Sequence, residues 1–268
     1  MKIALGTVQF GLDYGVSNTN GQVPLEEVGR ILDLAYSSGI RVLDTAQAYG
    51  TSEEVLGHFD LNRFRIVTKL FEDGNIDDSL ERLHKTSVYA TLFHRENQVN
   101  DKTWAYFEKI KAEGKTQKIG VSSYSPAVLE AIVDHYPVEI VQFPMNMCDF
   151  RYGCILAKLK RKNIEIHTRS AFLQGLLLMD PDKMDEYFDE IKPLFRSIPM
   201  PRLVYALDCL KQIGEADQIV LGVTKCSELQ EVCDAFRAKA EPMDYSKFRL
   251  TDERFLNPSQ WKLAKNRK

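Results

Sequence analysis

The first candidate strand and its following turn read Leu5-Gly6-Thr7-Val8-Gln9-Phe10-Gly11, and this turn separates two ways of winding a parallel sheet. A doubly wound nucleotide-binding sheet opens on G-x-G-x-x-G, whose glycines bring the backbone close to a pyrophosphate at a helix N-terminus. Glycines at 6 and 11 do not fit that spacing. The open sheet therefore lacks its signature at the first turn.

Outward from that turn, short runs rich in Val, Ile and Leu recur at Ile3–Thr7, Val42–Asp44, Ile66–Lys69, Ala90–Phe93, Lys118–Ser122, Ile140–Phe143, Ile164–Ser170 and Ile219–Gly222. Between them, apolar residues fall at three- and four-residue spacing, which predicts helices over Leu25–Ser38, Ser52–Phe59, Ile76–Thr86, Thr103–Ala112, Pro126–Asp134 and Cys154–Lys162. A long helical stretch is expected over Asp182–Gln212, and Ser227–Ala238 follows the last strand. Ser125-Pro126 is a good helix start, with Ser as cap and Pro in the first turn. Eight strand-helix units predict a single-domain α/β fold, the closed (β/α)8 or TIM barrel. Gly114-Lys115-Thr116 resembles the end of a phosphate loop, but position 109, where the motif's first glycine belongs, is Lys109. It reads as a helix end.

The 268 residues are 44% hydrophobic, enough for one large core, and the domain is expected to run over 1–268 with a C-terminal surface tail at 241–268. Thirty-five Lys and Arg against 38 Asp and Glu leave a net charge of −3, which provides no basic field for nucleic acid or an anionic membrane. Small molecules become the expected partners. The five cysteines form no Cys-x-x-Cys pair, so neither a zinc site nor a redox dithiol is expected. No window approaches the ~20 apolar residues of a membrane span, and a cytoplasmic location is expected.

In a closed barrel of this kind the site is built at the C-terminal ends of the strands. Asp44 ends the second strand and leads into Thr45-Ala46-Gln47-Ala48-Tyr49-Gly50; Lys69 closes the third and His94 the fourth. Each alone has an ordinary reading as a turn cap, a packed tyrosine or a solvated charge. Together on consecutive strands they make a proton-transfer set. A phenol is a poor acid at neutral pH, an adjacent ammonium is expected to lower its pKa, Asp44 would hold Lys69, and His94 would orient a substrate oxygen. This chemistry suits reduction of a carbonyl. A Schiff-base aldolase using Lys69 is a rival, although a neighbouring Asp44 opposes the neutral amine that it needs.

With Ser52-Glu53 and Leu56-Gly57 following, this tetrad resembles that of the aldo-keto reductases, particularly their compact bacterial members. The resemblance continues through Lys118-Ile119-Gly120-Val121-Ser122-Ser123-Tyr124-Ser125, through Val141-Gln142-Phe143-Pro144-Met145-Asn146, and through Phe172-Leu173-Gln174-Gly175-Leu176-Leu177. It implies a barrel that binds NADPH without a Rossmann domain and an oxidoreductase that reduces an aldehyde or ketone, a sugar derivative among the candidates. Tyr49 would be the proton donor, with Asp44, Lys69 and His94 beside it. The implied cofactor-binding residues are Gly6, Thr7, Ser122, Ser123, Gln142, Arg169, Ser170, Phe172, Gln174, Gly222, Val223, Thr224, Lys225, Glu228 and Glu231. Four positions depart from the family pattern, among them Val232, which stands where an Asn often meets adenine. Ser123 stands for its usual Asn, and Arg169 for the aromatic that stacks on nicotinamide. Glu228 stands for an Arg or Gln that meets the 2′-phosphate, which leaves NADH as an alternative cofactor. A nicotinamide-binding sensor subunit with little turnover is the non-enzymatic rival.

Overall fold

A computed structural model of the chain describes residues 1–261 and 263. Eight parallel strands close into a barrel in chain order: β1 (Lys2–Gly6), β2 (Val42–Asp44), β3 (Arg65–Leu70), β4 (Val88–Phe93), β5 (Thr116–Ser122), β6 (Ile140–Pro144), β7 (Glu165–Arg169) and β8 (Gln218–Gly222). Closure comes from the pairing of β1 with β8, in register from Lys2 opposite Gln218 to Gly6 opposite Gly222. This is the expected (β/α)8 architecture.

Alternation along the strands sorts side chains into two layers. Ala4, Val42, Val67, Ala90, Leu92 and Ile140 form one buried cluster, the barrel filling. Leu5, Leu43, Ile66, Val121, Val141 and Ile166 belong to a larger core shared with the helices. The helix Leu25–Ser37 buries Val28, Ile31, Leu32 and Ala35, a spacing that puts all four on one face. Asn100 caps the helix Asp101–Ala112, and Ser125 accepts from Val128 N at the start of Pro126–His135. Gly114, at φ +75°, ends the former, as its place in the sequence suggested.

The long helix expected over Asp182–Gln212 is absent. In its place are 3-10 turns at Pro181–Lys183 and Glu186–Phe188, a short helix Lys192–Arg196, and a regular helix only from Arg202 to Ile213. Pro193, Pro199 and Pro201 account for the interruption, since each lacks an N–H and disfavours helix in the residue before it. The helix expected over Cys154–Lys162 shortens to Leu156–Arg161 behind a 3-10 turn at Arg151–Cys154.

Residues of this β7 excursion and of the C-terminal segment bury one another in a second core. Phe188, Phe195 and Ile198 meet Tyr245, Phe248, Phe255, Leu256 and Trp261 there. Leu250 N–H donates to Cys148 O at 2.8 Å, tying the segment to the loop after β6. The aromatic side chains of the expected surface tail are thus interior. Its residues 262 and 264–268 lie outside the described set. Among the described residues, no helix is long and apolar enough to cross a membrane.

Candidate active site

Lys69 projects from β3 into a closed set of contacts. Its Nζ donates to Asp44 Oδ1 at 2.6 Å, to the Thr45 carbonyl at 3.0 Å and to the Tyr49 hydroxyl at 3.2 Å. Asp44 Oδ2 accepts from Gln142 Nε2 at 2.7 Å, so one carboxylate ties β2 to β3 and to β6. Asp44 and Lys69 are 2% and 1% exposed. A buried pair of this kind survives because each charge finds its partner and its hydrogen bonds.

Tyr49 sits on a turn rather than a strand, and the turn is held by its neighbours. Ser52 Oγ donates to Thr7, whose carbonyl and hydroxyl oxygens both lie at 2.9 Å. Buried Glu53 accepts from Thr68 Oγ1 at 2.6 Å and from the Arg82 guanidinium at 2.7 and 2.9 Å. Gly11 passes so close that a Cβ there would stand 1.8 Å from the Tyr49 carbonyl oxygen. Only glycine permits that approach.

His94 follows β4. Its ring stacks on Phe71 with centroids 4.8 Å apart and meets Tyr49 edge-on at 5.9 Å. Burial, then the Lys69 and Arg169 cations, holds its pKa down at about 3, so the imidazole is neutral. Burial would also strip Lys69 of its proton, but Asp44 and Tyr49 together outweigh it and hold the ammonium's pKa above its usual value. For Tyr49 the net direction reverses the one expected from the ammonium alone. Desolvation pushes the phenol's pKa up, and Lys69 pulls it down without prevailing. The group is a neutral phenol with an ammonium poised to receive the charge it would leave.

These residues open into a cleft of about 440 Å³. It is lined by Gly6, Thr7, Ser122, Arg169, Ser170, Phe172, Gln174, Gly222, Val223, Thr224, Glu228 and Glu231 among the expected cofactor residues, together with Asp44, Tyr49, Lys69 and His94. Ser123, Gln142 and Lys225 do not line it. The Ser123 hydroxyl donates to Ser125 O and accepts from Ser125 N and Tyr152 Oη, so its hydrogen bonds lie within the wall. Gln142 stands behind Asp44, with its Oε1 buried and unpartnered. Lys225 precedes the helix Cys226–Arg237 as its N-cap residue.

Several lining residues escaped the sequence reading. Gln174 Nε2 donates to Tyr14 Oη at 3.0 Å and the Gln174 carbonyl accepts from Val16 N at 3.1 Å, while Asn20 Nδ2 donates to Thr224 Oγ1 at 3.0 Å. The loop after β1 therefore reaches both the β7 and β8 loops, and it brings Tyr14 into the wall. The clustered Tyr14, Gly15 and Asn18 behind a strand end were the available signal. Tyr124, which carries the Arg169 guanidinium at 4.0 Å from its ring centroid, also lines the cleft.

A dinucleotide needs bare backbone along such a cleft. Gly6 and Gly222 face each other at the ends of β1 and β8, and a Cβ on Gly222 would come within 2.4 Å of the Gln9 side chain. Gln9, whose Oε1 is buried and unpartnered, also lines the cleft. These features fit an extended dinucleotide.

The sequence profile described as the Aldo/keto reductase family matches residues 2–251. An aldo-keto reductase of Mycobacterium sp. (strain KMS) is 29% identical over 129 residues, 42% of this chain and 47% of that protein. An L-galactose dehydrogenase of Arabidopsis thaliana is 27% identical over 207 residues, 65% of this chain and 64% of the plant enzyme. The match thus spans about half of the mycobacterial relative and somewhat under two thirds of the plant one. The holo form of an aldo-keto reductase from Bacillus halodurans superposes with a TM-score of 0.74 at 20% identity, covering 92% of this chain and 89% of that one. With the barrel, the buried Asp44–Lys69–Tyr49 contacts and a profile match across nearly its whole length, the chain belongs to the aldo-keto reductase family.

Proposed function

We propose that the protein is an NAD(P)H-dependent oxidoreductase that reduces the carbonyl group of a small aldehyde or ketone to an alcohol, with Tyr49 as proton donor. The observation that carries this reading is the 3.2 Å contact between the Lys69 ammonium and the Tyr49 hydroxyl inside a cleft whose glycine floor suits a dinucleotide. When bound, the nicotinamide dinucleotide supplies the hydride to the carbonyl carbon. The carbonyl oxygen becomes an alkoxide and takes the Tyr49 proton. Lys69 stabilises the phenolate left behind, and Asp44 keeps Lys69 charged and in place. Neutral His94 orients the oxygen without competing as a stronger acid. Gly6, Thr7, Ser122, Gly222, Val223 and Thr224 would hold the dinucleotide along the cleft.

Schiff-base chemistry fits the same residues poorly, since it needs a neutral amine and Lys69 is held charged by Asp44. The test of the reductase reading is loss of NADPH or NADH absorbance across a panel of carbonyl compounds, sugars included, with Tyr49→Phe as control. Tight retention of either cofactor without consumption across the panel would favour the sensor instead.

A further inference from the structure

Among the described residues, the cleft wall contains one cation without a counter-ion. Of the described lysines and arginines that line it, Lys69 is neutralised by Asp44, whereas Arg169 has no carboxylate within 4.0 Å. Its guanidinium rests on the Tyr124 ring at 4.0 Å, and its two polar contacts are long: Nη2 to the Ser123 carbonyl at 3.3 Å and Nη1 to Ser170 Oγ at 3.5 Å. A guanidinium offers five donors in a planar fork. Most of that capacity is unspent. Ring stacking offsets part of the cost of holding a half-buried cation, but it satisfies no N–H.

Position and backbone give the arrangement direction. Arg169 ends β7, at the rim where barrel sites are built. Ser170, which follows it, adopts φ +58°, a left-handed conformation uncommon for a residue other than glycine. Asn146 Nδ2 holds the Ser170 carbonyl at 3.0 Å, and Met145 N–H holds the Arg169 carbonyl at 3.0 Å. The strained corner is thus fastened on the side away from the cleft, with the side chain of Arg169 in the wall it shares with Tyr49 and His94. Both of those groups feel its field: it adds to the burial that holds the His94 pKa down, and for Tyr49 it is a minor pull against the burial that raises the phenol's pKa.

We propose that Arg169 recognises a carboxylate or phosphate carried by the carbonyl substrate, so that the compound reduced is an oxo-acid or a phosphorylated aldehyde or ketone. The inference rests on the reductase reading of the same cleft and names the substrate class that reading leaves open. An oxyanion matches the guanidinium fork with paired charge-assisted hydrogen bonds. A neutral carbonyl compound would leave the fork unpartnered.

The test compares wild type with Arg169→Gln and Arg169→Lys on two matched pairs, 4-oxobutanoate against butanal and glyceraldehyde 3-phosphate against glyceraldehyde, with each nicotinamide cofactor. Wild type is expected to favour the charged member of at least one pair by about tenfold or more in kcat/KM. That preference should collapse toward unity in Arg169→Gln and survive in part in Arg169→Lys. The pair that responds separates carboxylate from phosphate. Calorimetric titration of wild type with succinate and with inorganic phosphate, at saturating cofactor, should detect binding that Arg169→Gln lacks.

Absence of any charged preference in wild type, or its persistence in Arg169→Gln, overturns the inference. So does a variant that weakens NADPH and NADH binding while keeping the charged-to-neutral ratio, because the cation would then serve the cofactor. Failure of all four compounds to react, with succinate or phosphate still bound by wild type alone, would sink the reductase reading and sustain the anion-recognising role of Arg169.

Discussion

Glu228 turns back onto Thr224, with Oε2 accepting the Thr224 amide N–H at 2.6 Å and Oε1 lying 3.0 Å from the Thr224 hydroxyl. Thr224 lies just before the helix Cys226–Arg237, on the β8 side of the cleft. The first amide of that helix, Cys226 N–H, is taken by Glu27 Oε1 at 2.6 Å. A helix N-terminus attracts anions through its free amides and its dipole. Here two carboxylates of the protein already occupy that role.

A 2′-phosphate reaching this end of the cleft would meet Glu228 and Glu231, whereas a ribose hydroxyl would meet acceptors. Glu228→Gln should therefore raise NADPH affinity relative to NADH by about 1–2 kcal/mol, roughly five- to thirtyfold in the ratio of dissociation constants. Fluorescence titration of both cofactors measures it. An unchanged ratio would place the 2′-position away from Glu228.

Tyr49→Phe removes one oxygen and keeps the ring. Reduction of any accepted carbonyl compound should fall by about 10²–10⁴-fold while cofactor affinity holds. Single-turnover kinetics with pre-bound cofactor isolates that loss. A variant as fast as wild type would assign the proton to another donor.

Lys69→Met leaves the Asp44 carboxylate buried with Gln142 as its remaining side-chain partner. The expected destabilisation is about 3–5 kcal/mol, read from urea unfolding, because an uncompensated buried charge costs more than a lost contact. Adding Asp44→Asn to Lys69→Met should recover part of it. If the double variant is less stable than the single one by the full cost of a second independent loss, the two residues are not coupled.

His94 supplies the pH dependence. Its folded-state pKa of about 3 lies below its ordinary value of 6.5, chiefly through burial and then through the Lys69 and Arg169 charges. Between those two values the unfolded chain binds a proton that the folded protein refuses. The contribution is complete above pH 6.5 and is lost progressively as pH falls toward 3. Melting temperatures from about pH 7 to about pH 4 should decline more steeply in wild type than in His94→Phe. Parallel declines would mean that His94 titrates normally in the fold.

Much of this architecture was legible because strand ends are punctuated by residue type. Asp44, Lys69 and His94 each close an apolar run, and barrel geometry then brings them together. The segment from Asp182 to Gln212 misled because its apolar spacing looked helical while Pro193, Pro199 and Pro201 forbade a continuous helix. Ser123 matched a motif by position, yet its hydroxyl is spent on Ser125 and Tyr152, partners that spacing does not reveal. Tyr14 lies in a loop without periodicity, and its place in the wall depends on Gln174, 160 residues away. The direction of the Tyr49 pKa is set by desolvation, which a sequence shows less readily than it shows a neighbouring charge.

The second core joins side chains from residues 173–198 to side chains from residues 245–263, with β8 and its helix between them in the chain. During synthesis residues 173–198 therefore emerge from the ribosome with Phe188 and Phe195 lacking part of their cover until Phe248, Phe255 and Trp261 have been translated. Over that interval they present a greasy surface to chaperones, and a ribosome stalled just after β8 would hold a nascent chain whose eight strands are all present but whose second core has not closed.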